Sequence, residues 1–177
     1  MATASNTMTD GSRVTDLIRK DHDWFRRQFL DLDQAHGDTP KVEGLWADLS
    51  ARLEVHAAAE EALFYPRLLR DDKDAVDDTK DAIGDHNEIR DAIRKAGARR
   101  IGDSGWWAAV KECYTANLEH MQEEEHGPLQ EFDEVASKDE QAELARAFAG
   151  FETEDAGARG ISTADKDPKE YIEEHQP

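Results

Sequence analysis

A chain of 177 residues with Lys+Arg 22 against Asp+Glu 41, a net charge of −19, offers no basic surface to nucleic acid phosphates or to an anionic membrane. Hydrophobic residues make up 38%, enough for the core of one domain with tails, and no apolar run approaches the roughly 20 residues that cross a bilayer. The only cysteine, Cys113, excludes an intrachain disulfide and fits a reducing, cytoplasmic setting.

Residues 1–11 have neither a basic start nor an apolar stretch and read as a disordered polar tail rather than a signal peptide. From there on, apolar residues recur at three and four, the period of a helix. Val14, Leu17, Ile18, Phe25, Phe29 and Leu32 form the first stripe, and His22 falls inside it. Gly37 ends that helix, and Thr39 with Pro40 opens the next by a capped, proline-first turn. The second stripe runs Val42, Leu45, Trp46, Leu49, Leu53, then His56, Glu60 and Leu63. Pro66 has no N–H to give, so a kink or frayed turn is expected beside it. A charged connection follows Arg70, and the third stripe is Ala82, Ile83, His86, Ile89 and Ile93. Gly97 and Gly102 bracket its end, and Ser104 is placed to cap a fourth helix carrying Trp106, Ala109, Val110, Cys113, Ala116, His120 and Glu124. Gly127 and Pro128 then break that helix next to Glu124. Ser137 and Glu140 make a capping box for a short fifth helix with Leu144 and Phe148 inward. Pro168 begins a last turn through which Tyr171 and Ile172 either dock or leave the tail loose. No strand pattern occurs. The expected architecture is all-α: a tail over 1–11, an up-down-up-down four-helix bundle over 12–136, and a C-terminal helix and tail over 137–177.

The four stripes carry a repeated chemical pattern. His56 and Glu60 are spaced as His120 and Glu124 are, and each pair follows a lone histidine, His22 or His86, by the same 34 residues. One offset of 64 residues relates 22 to 86, 56 to 120 and 60 to 124. With about 100° and about 1.5 Å per residue, a histidine and a glutamate four apart share one helix face. Counted from the turns near residues 38, 73 and 103, the six side chains fall at matching heights on antiparallel neighbours. A single histidine on an apolar face is more often a hydrogen-bonded core residue, and a single histidine–glutamate pair is a common surface arrangement. Six such residues at one offset and one height point instead to a buried two-metal site. Cations offset the cost of burying carboxylates, and imidazole with carboxylate suits iron, manganese or zinc.

These residues, with the flanks Asp21 and Asp23, Glu61 to Pro66, Asp85 and Asn87, and Glu123 to Glu125, resemble the hemerythrin family in its bacterial HHE-domain branch, over about residues 14–132. The resemblance implies a four-helix bundle around a non-haem di-iron centre, two iron ions joined by an oxo or hydroxo bridge. Glu60 and Glu124 would bridge the irons, and His22, His56, His86 and His120 would cap them. The oxygen-carrying members place a further histidine one turn after the position of His86, where this chain has Arg90, mirrored by Arg26. Their last-helix carboxylate lies five residues after its histidine, which would be Glu125 here; the internal repeat favours Glu124 and keeps Glu125 as the option. The lost histidine moves the expectation from oxygen storage toward redox chemistry with peroxide or nitric oxide. The implied partner is a small oxidant: dioxygen, hydrogen peroxide or nitric oxide. Catalase-like or peroxidase-like decomposition of peroxide is the enzymatic form of this reading, and an iron- or redox-sensing module without turnover is its alternative.

The remaining polar residues have plainer readings. Arg26 and Arg90 can pair with Glu61 or Glu125 behind the ligands, solvated ion pairs being the commoner arrangement. Tyr65 is a candidate to bond a ligand carboxylate or to supply a further donor, but nine residues after His56 it sits about 180° around an ideal helix and so reads as packing unless the Pro66 distortion swings it inward. His36, His126 and His175 lie off the stripes and are expected in solvent. Trp24, Trp46, Trp106 and Trp107 are expected to pack between helices, and Cys113 to be a buried thiol.

Overall fold

The computed structural model describes residues 12–72 and 75–176, so the tail expected over 1–11 lies outside the described residues. Among the described residues every regular element is helical: α1 (Val14–Gln34), α2 (Thr39–Ala59), a π-helical turn (Glu60–Phe64), α3 (Tyr65–Asp71), α4 (Val76–Gly97), α5 (Ser104–His126), α6 (Pro128–Val135), α7 (Lys138–Glu154) and α8 (Pro168–His175). None of these helices is long and apolar enough to cross a membrane. Four rods make the bundle: α1; α2 continued through the π turn into α3; α4; and α5 continued into α6. α4 lies along α5 and α1 along α2, while α7 covers α1, α2 and the π turn, and α8 covers α4 and α3.

The breaks fall where proline and glycine require them. Gly37, at φ 95°, closes the turn after α1, a conformation that costs a glycine little. The cap of α2 is Asp38 rather than Thr39: its carboxylate accepts from the Lys41 N–H at 3.3 Å, and Thr39 is already helical. Ser104 likewise is the first residue of α5 and not its cap; Asp103 holds the extended position before it. Gly127 and Pro128 separate α5 from α6. Near Pro66 the chain neither frays nor simply kinks. It widens into the π turn, in which the Tyr65 N–H reaches back five residues to the Glu60 carbonyl. The Ser137 capping box forms in both directions. The helix it opens has 17 residues and is not short, because Phe151 continues the inward stripe of Leu144 and Phe148 at the edge of the core. The last turn does dock: Tyr171 and Ile172 are buried.

The hydrophobic core is split in two. One part contains Val14, Ile18, Ala59, Phe64, Leu68, Ile83, Leu129, Phe132 and Phe148. The other contains Phe25, Phe29, Trp46, Leu49, Leu53, Ile89, Trp106, Val110 and Cys113. On every bundle rod a buried histidine, with glutamate on two of them, sits between a residue of one part and a residue of the other. The fold therefore sandwiches a polar layer between two apolar plugs. Water is kept from that layer, and each charge inside it must find a partner there.

Candidate metal centre

His22 comes from α1, His56 from the last turn of α2, Glu60 from the start of the π turn, His86 from the middle of α4, and His120 with Glu124 from α5. All six are buried. Their inward atoms crowd together. His56 Nε2 lies 2.8 Å from Glu60 Oε1 and His22 Nε2 3.2 Å from Glu124 Oε2. His86 and His120 place Nε2 at 3.2 and 3.7 Å from Glu60 Oε2. Donor atoms of His22, Glu60, His120 and Glu124 all fall within 4.8 Å of one another. The two Nε2 atoms of His86 and His120 face each other at 3.2 Å. Two lone pairs at that distance repel, so either a proton or a cation belongs between them and the carboxylates.

The outer nitrogen of every ring meets another carboxylate. Nδ1 of His22 lies 2.9 Å from Glu125 Oε1, that of His86 2.8 Å from Glu61 Oε1, that of His56 3.3 Å from Asp21 Oδ2, and that of His120 3.6 Å from Asp85 Oδ2. An ionised carboxylate only accepts, so it holds the proton on Nδ1 and turns the Nε2 lone pair inward. This arrangement of carboxylate behind histidine is the usual support of a metal ligand. It obeys the same 64-residue offset, which relates Asp21 to Asp85, Glu61 to Glu125 and Arg26 to Arg90. The partners are crossed, however: Asp21 precedes His22 in sequence but serves His56, and Asp85 precedes His86 but serves His120.

Behind the carboxylates stand cations. Arg26 Nη2 binds both oxygens of Glu125 at 2.9 Å. Arg90 Nη2 lies 2.8 and 3.0 Å from the oxygens of Glu61. Arg90 is only 1% exposed, so the commoner solvated pair does not describe it, and its Nε stands 3.4 Å from Glu54. Arg52 pairs with Asp21 and stacks over Trp24 at 4.5 Å. Glu152, from α7, bonds to Asp21; burial, then the bond to Asp21 and its charge, push the Glu152 carboxyl up to about 8.

Tyr65 departs from its reading as packing. It is fully buried, and its hydroxyl donates to Glu124 Oε1 at 2.8 Å. A π turn spends one residue more than an α turn, which sets every later side chain back by about 100° and swings Tyr65 to the inner face. Of the histidines expected in solvent, His36 and His126 are exposed, whereas His175 is half-buried and stacks on Tyr171 at 4.2 Å. Trp46 packs edge-on against Trp106 with centroids 5.6 Å apart, and burial raises the Cys113 thiol far above its ordinary range.

Electrostatics of the layer follow from this crowding. Burial alone would raise the Glu60 carboxyl, but the charge of His56 and the close approach of His120, His56 and His86 hold it well below the usual carboxylate range. His56 rises well above an ordinary histidine, since the charge of Glu60 and the bond to Asp21 outweigh burial. His120 rises to about 10: burial opposes, and Asp85 with Glu60 prevails. Imidazolium and a metal cation are thus two ways of neutralising the same buried carboxylates. The hydrogen-bond geometry favours the cation. Nε2 of His22 and His56, both oxygens of Glu60 and Oε2 of Glu124 are buried without a properly directed hydrogen bond. They are the atoms that a metal would take, and the donor set of imidazole and carboxylate suits iron. A cavity of about 360 Å³ lined by Asp78, Asp81, Asp85 and Glu123 leads from the surface to His120 and Glu124.

A family model described as the hemerythrin HHE cation binding domain matches residues 13–132, more than half of the chain. The chain belongs to the hemerythrin family. Hemerythrin-type domains bind metal cations, typically iron, and the histidine–glutamate layer supplies the ligand types for that. The match stops inside α6, so α7 and α8, which cover this hemerythrin bundle, lie beyond it. No curated protein and no solved structure matches the chain.

Proposed function

We propose that this hemerythrin-family protein holds two iron ions in the polar layer and there binds or reduces a small oxidant: dioxygen, hydrogen peroxide or nitric oxide. The observation that carries the reading is the buried layer itself, in which four imidazoles and two carboxylates converge while each outer imidazole nitrogen faces a further carboxylate. Bound iron supplies the electrons and the open coordination position that such an oxidant needs. The protein's own residues do the rest. Glu60, set between His56, His86 and His120, would hold the metal with them, as would Glu124 beside His22 and Tyr65. Tyr65 orients Glu124 through its hydroxyl. Arg90 stands where oxygen carriers of the family have a histidine, and its guanidinium turns away to Glu61 and Glu54. That leaves one ligand fewer and supports a position open to the oxidant. The two apolar plugs exclude bulk water, and the acidic cavity beside His120 and Glu124 gives a small cation or oxidant its way in. The lone buried cysteine supports a reducing compartment such as the cytoplasm.

Elemental analysis of protein purified without added metal tests the reading: two irons per chain are expected, with an absorbance change on moving from anaerobic buffer to buffer with oxidant. Glu60→Ala should abolish both. Iron-free protein, or a spectrum indifferent to oxidant, rejects it. Steady oxygen evolution from peroxide would assign turnover, and a spectral change without turnover would assign sensing.

A further inference from the structure

The 64-residue repeat makes the two halves of the site chemically alike, yet the segment over residues 163–172 pairs with Glu61 of the two matching glutamates Glu61 and Glu125. Glu61 and Glu125 are twins, each behind one histidine and each paired with one arginine. The Glu125 side chain keeps 23% exposure, whereas that of Glu61 keeps 1%. Residues 163–172 contribute to the difference. Lys166 Nζ lies 2.7 Å from Glu61 Oε2, which gives this carboxylate a second cation. The Lys166 backbone is tied to the side chain of Asn87, next to His86, by paired hydrogen bonds of 2.8 and 3.0 Å. Arg94 holds the same segment through the Thr163 carbonyl at 3.1 Å and Asp165 at 2.7 Å.

Tyr171 completes the attachment. Its hydroxyl donates to the backbone carbonyl of Glu61 at 2.6 Å. That carbonyl has a specific need. In a π turn it would accept from the N–H five residues on, which is Pro66, and proline has none; the Tyr65 N–H is already committed to Glu60. The twin carbonyl, of Glu125, is served within its own rod by the Gln130 side chain at 3.1 Å, and residue 130 stands 64 after Pro66. A buried carbonyl without a donor is unfavourable, so the first repeat borrows its donor from α8.

We infer that Lys166 and Tyr171, on the segment beyond the family domain, are positioning residues for one half of the metal centre: Tyr171 fixes the π turn that carries Glu60 and Glu61 and leads into Tyr65, and Lys166 offsets the charge of Glu61 behind His86. The consequence is two inequivalent metal positions in a site built by repetition. An iron held by His86 would have as ligand an imidazole whose supporting carboxylate, Glu61, is shared with two cations, Arg90 and Lys166. Less electron density would be pushed through that imidazole, which would favour the reduced state there. The inference rests on the di-iron reading for its redox arm and on the fold alone for its exchange arm.

The test uses the full chain, reconstituted with iron, in four variants. Lys166→Met should lower the midpoint potential relative to the unsubstituted protein, and Lys166→Arg should restore it. Lys95→Met is the control, since Lys95 is a surface cation paired with Glu112 on the exposed side of the bundle. Tyr171→Phe should release iron to a ferrous chelator about two- to tenfold faster, the factor that corresponds to one hydrogen bond of ordinary net strength. In metal-free Tyr171→Phe, amide exchange should quicken across residues 60–65 and stay unchanged across 42–53. A Lys166→Met potential no further displaced than that of Lys95→Met overturns the inference, and so does unaltered exchange across 60–65 in Tyr171→Phe. If the unsubstituted protein holds no iron, the di-iron reading fails and the exchange experiment alone decides this one. Lys166 is part-exposed, so its replacement leaves the core intact should the Tyr171 variant not fold.

Discussion

Withdrawing the metal is the most informative perturbation of this fold. Five buried atoms in the polar layer, Nε2 of His22 and of His56, both oxygens of Glu60 and Oε2 of Glu124, lack a directed hydrogen bond. An unsatisfied buried polar group costs about 1–3 kcal/mol, so five of them amount to about 5–15 kcal/mol, as large as the whole stability of a typical domain. Imidazolium–carboxylate pairing of His56 with Glu60 at 2.8 Å offsets part of this. What remains is readable through mass action. A cation present at about 1,000 times its Kd stabilises the folded state by about 4 kcal/mol. For a chain of this size each kcal/mol moves the midpoint by about 2–4 °C, so anaerobic reloading with ferrous iron should raise Tm by about 8–16 °C. The assay is a thermal melt, by calorimetry or circular dichroism, of protein stripped with a chelator and then reloaded. Glu60→Gln should lose the shift, because a neutral amide neither bridges nor neutralises a cation. Melting points that agree within about 2 °C with and without metal would refute the reasoning, as that is less than the effect of one kcal/mol.

Four further outcomes are expected. The stripped protein should be most stable in mildly acid solution. His120, raised to about 10, contributes stability that is complete below about 6.5, its unfolded value, and lost as pH rises through 10. Glu61 is lowered to about 2: burial opposes, and His86, Arg90 and Lys166 prevail. Its contribution is complete above about 4.3 and lost as pH falls toward 2. Because metal requires neutral imidazole, the gap in Tm between loaded and stripped protein should widen from pH 6 to pH 9, and a gap that does not vary with pH contradicts this. Tyr65→Phe should cost the stripped protein about 1.5–3 kcal/mol in urea unfolding, the value of a buried hydrogen bond to a carboxylate; no change in the unfolding midpoint would mean that the hydroxyl does not hold Glu124. Phe148→Ala, which empties the contact of α7 with His56 (ring centroids 5.8 Å apart) and with the core, should cost about 3–5 kcal/mol by the same measurement, and a cost under about 1 kcal/mol would show α7 to be dispensable to the bundle.

The chain by itself determined the rods and the six convergent side chains. Helical burial and side-chain direction both repeat over three to four residues, so His22, His56, Glu60, His86, His120 and Glu124 could be set on apolar stripes and brought to one height by counting. The supporting carboxylates were also written in the repeat, at Asp21 and Asp85 and at Glu61 and Glu125, although linear neighbourhood assigned none of them to its histidine. Asp21 reaches His56 across the bundle because a residue beside an inward one points to the next rod and not to its neighbour in sequence. Only the tertiary structure decided the rest. Pro66 announced a disturbance but not its form; the π turn, which brings Tyr65 onto Glu124, is the solution that packing selected. Lys166 and Tyr171 meet Glu61 from more than 100 residues away, through a turn and a helix that share no period with the bundle. Periodicity records which face of a rod is buried, whereas the partner that covers a given carboxylate or carbonyl is fixed by where separate rods and their connections come to rest.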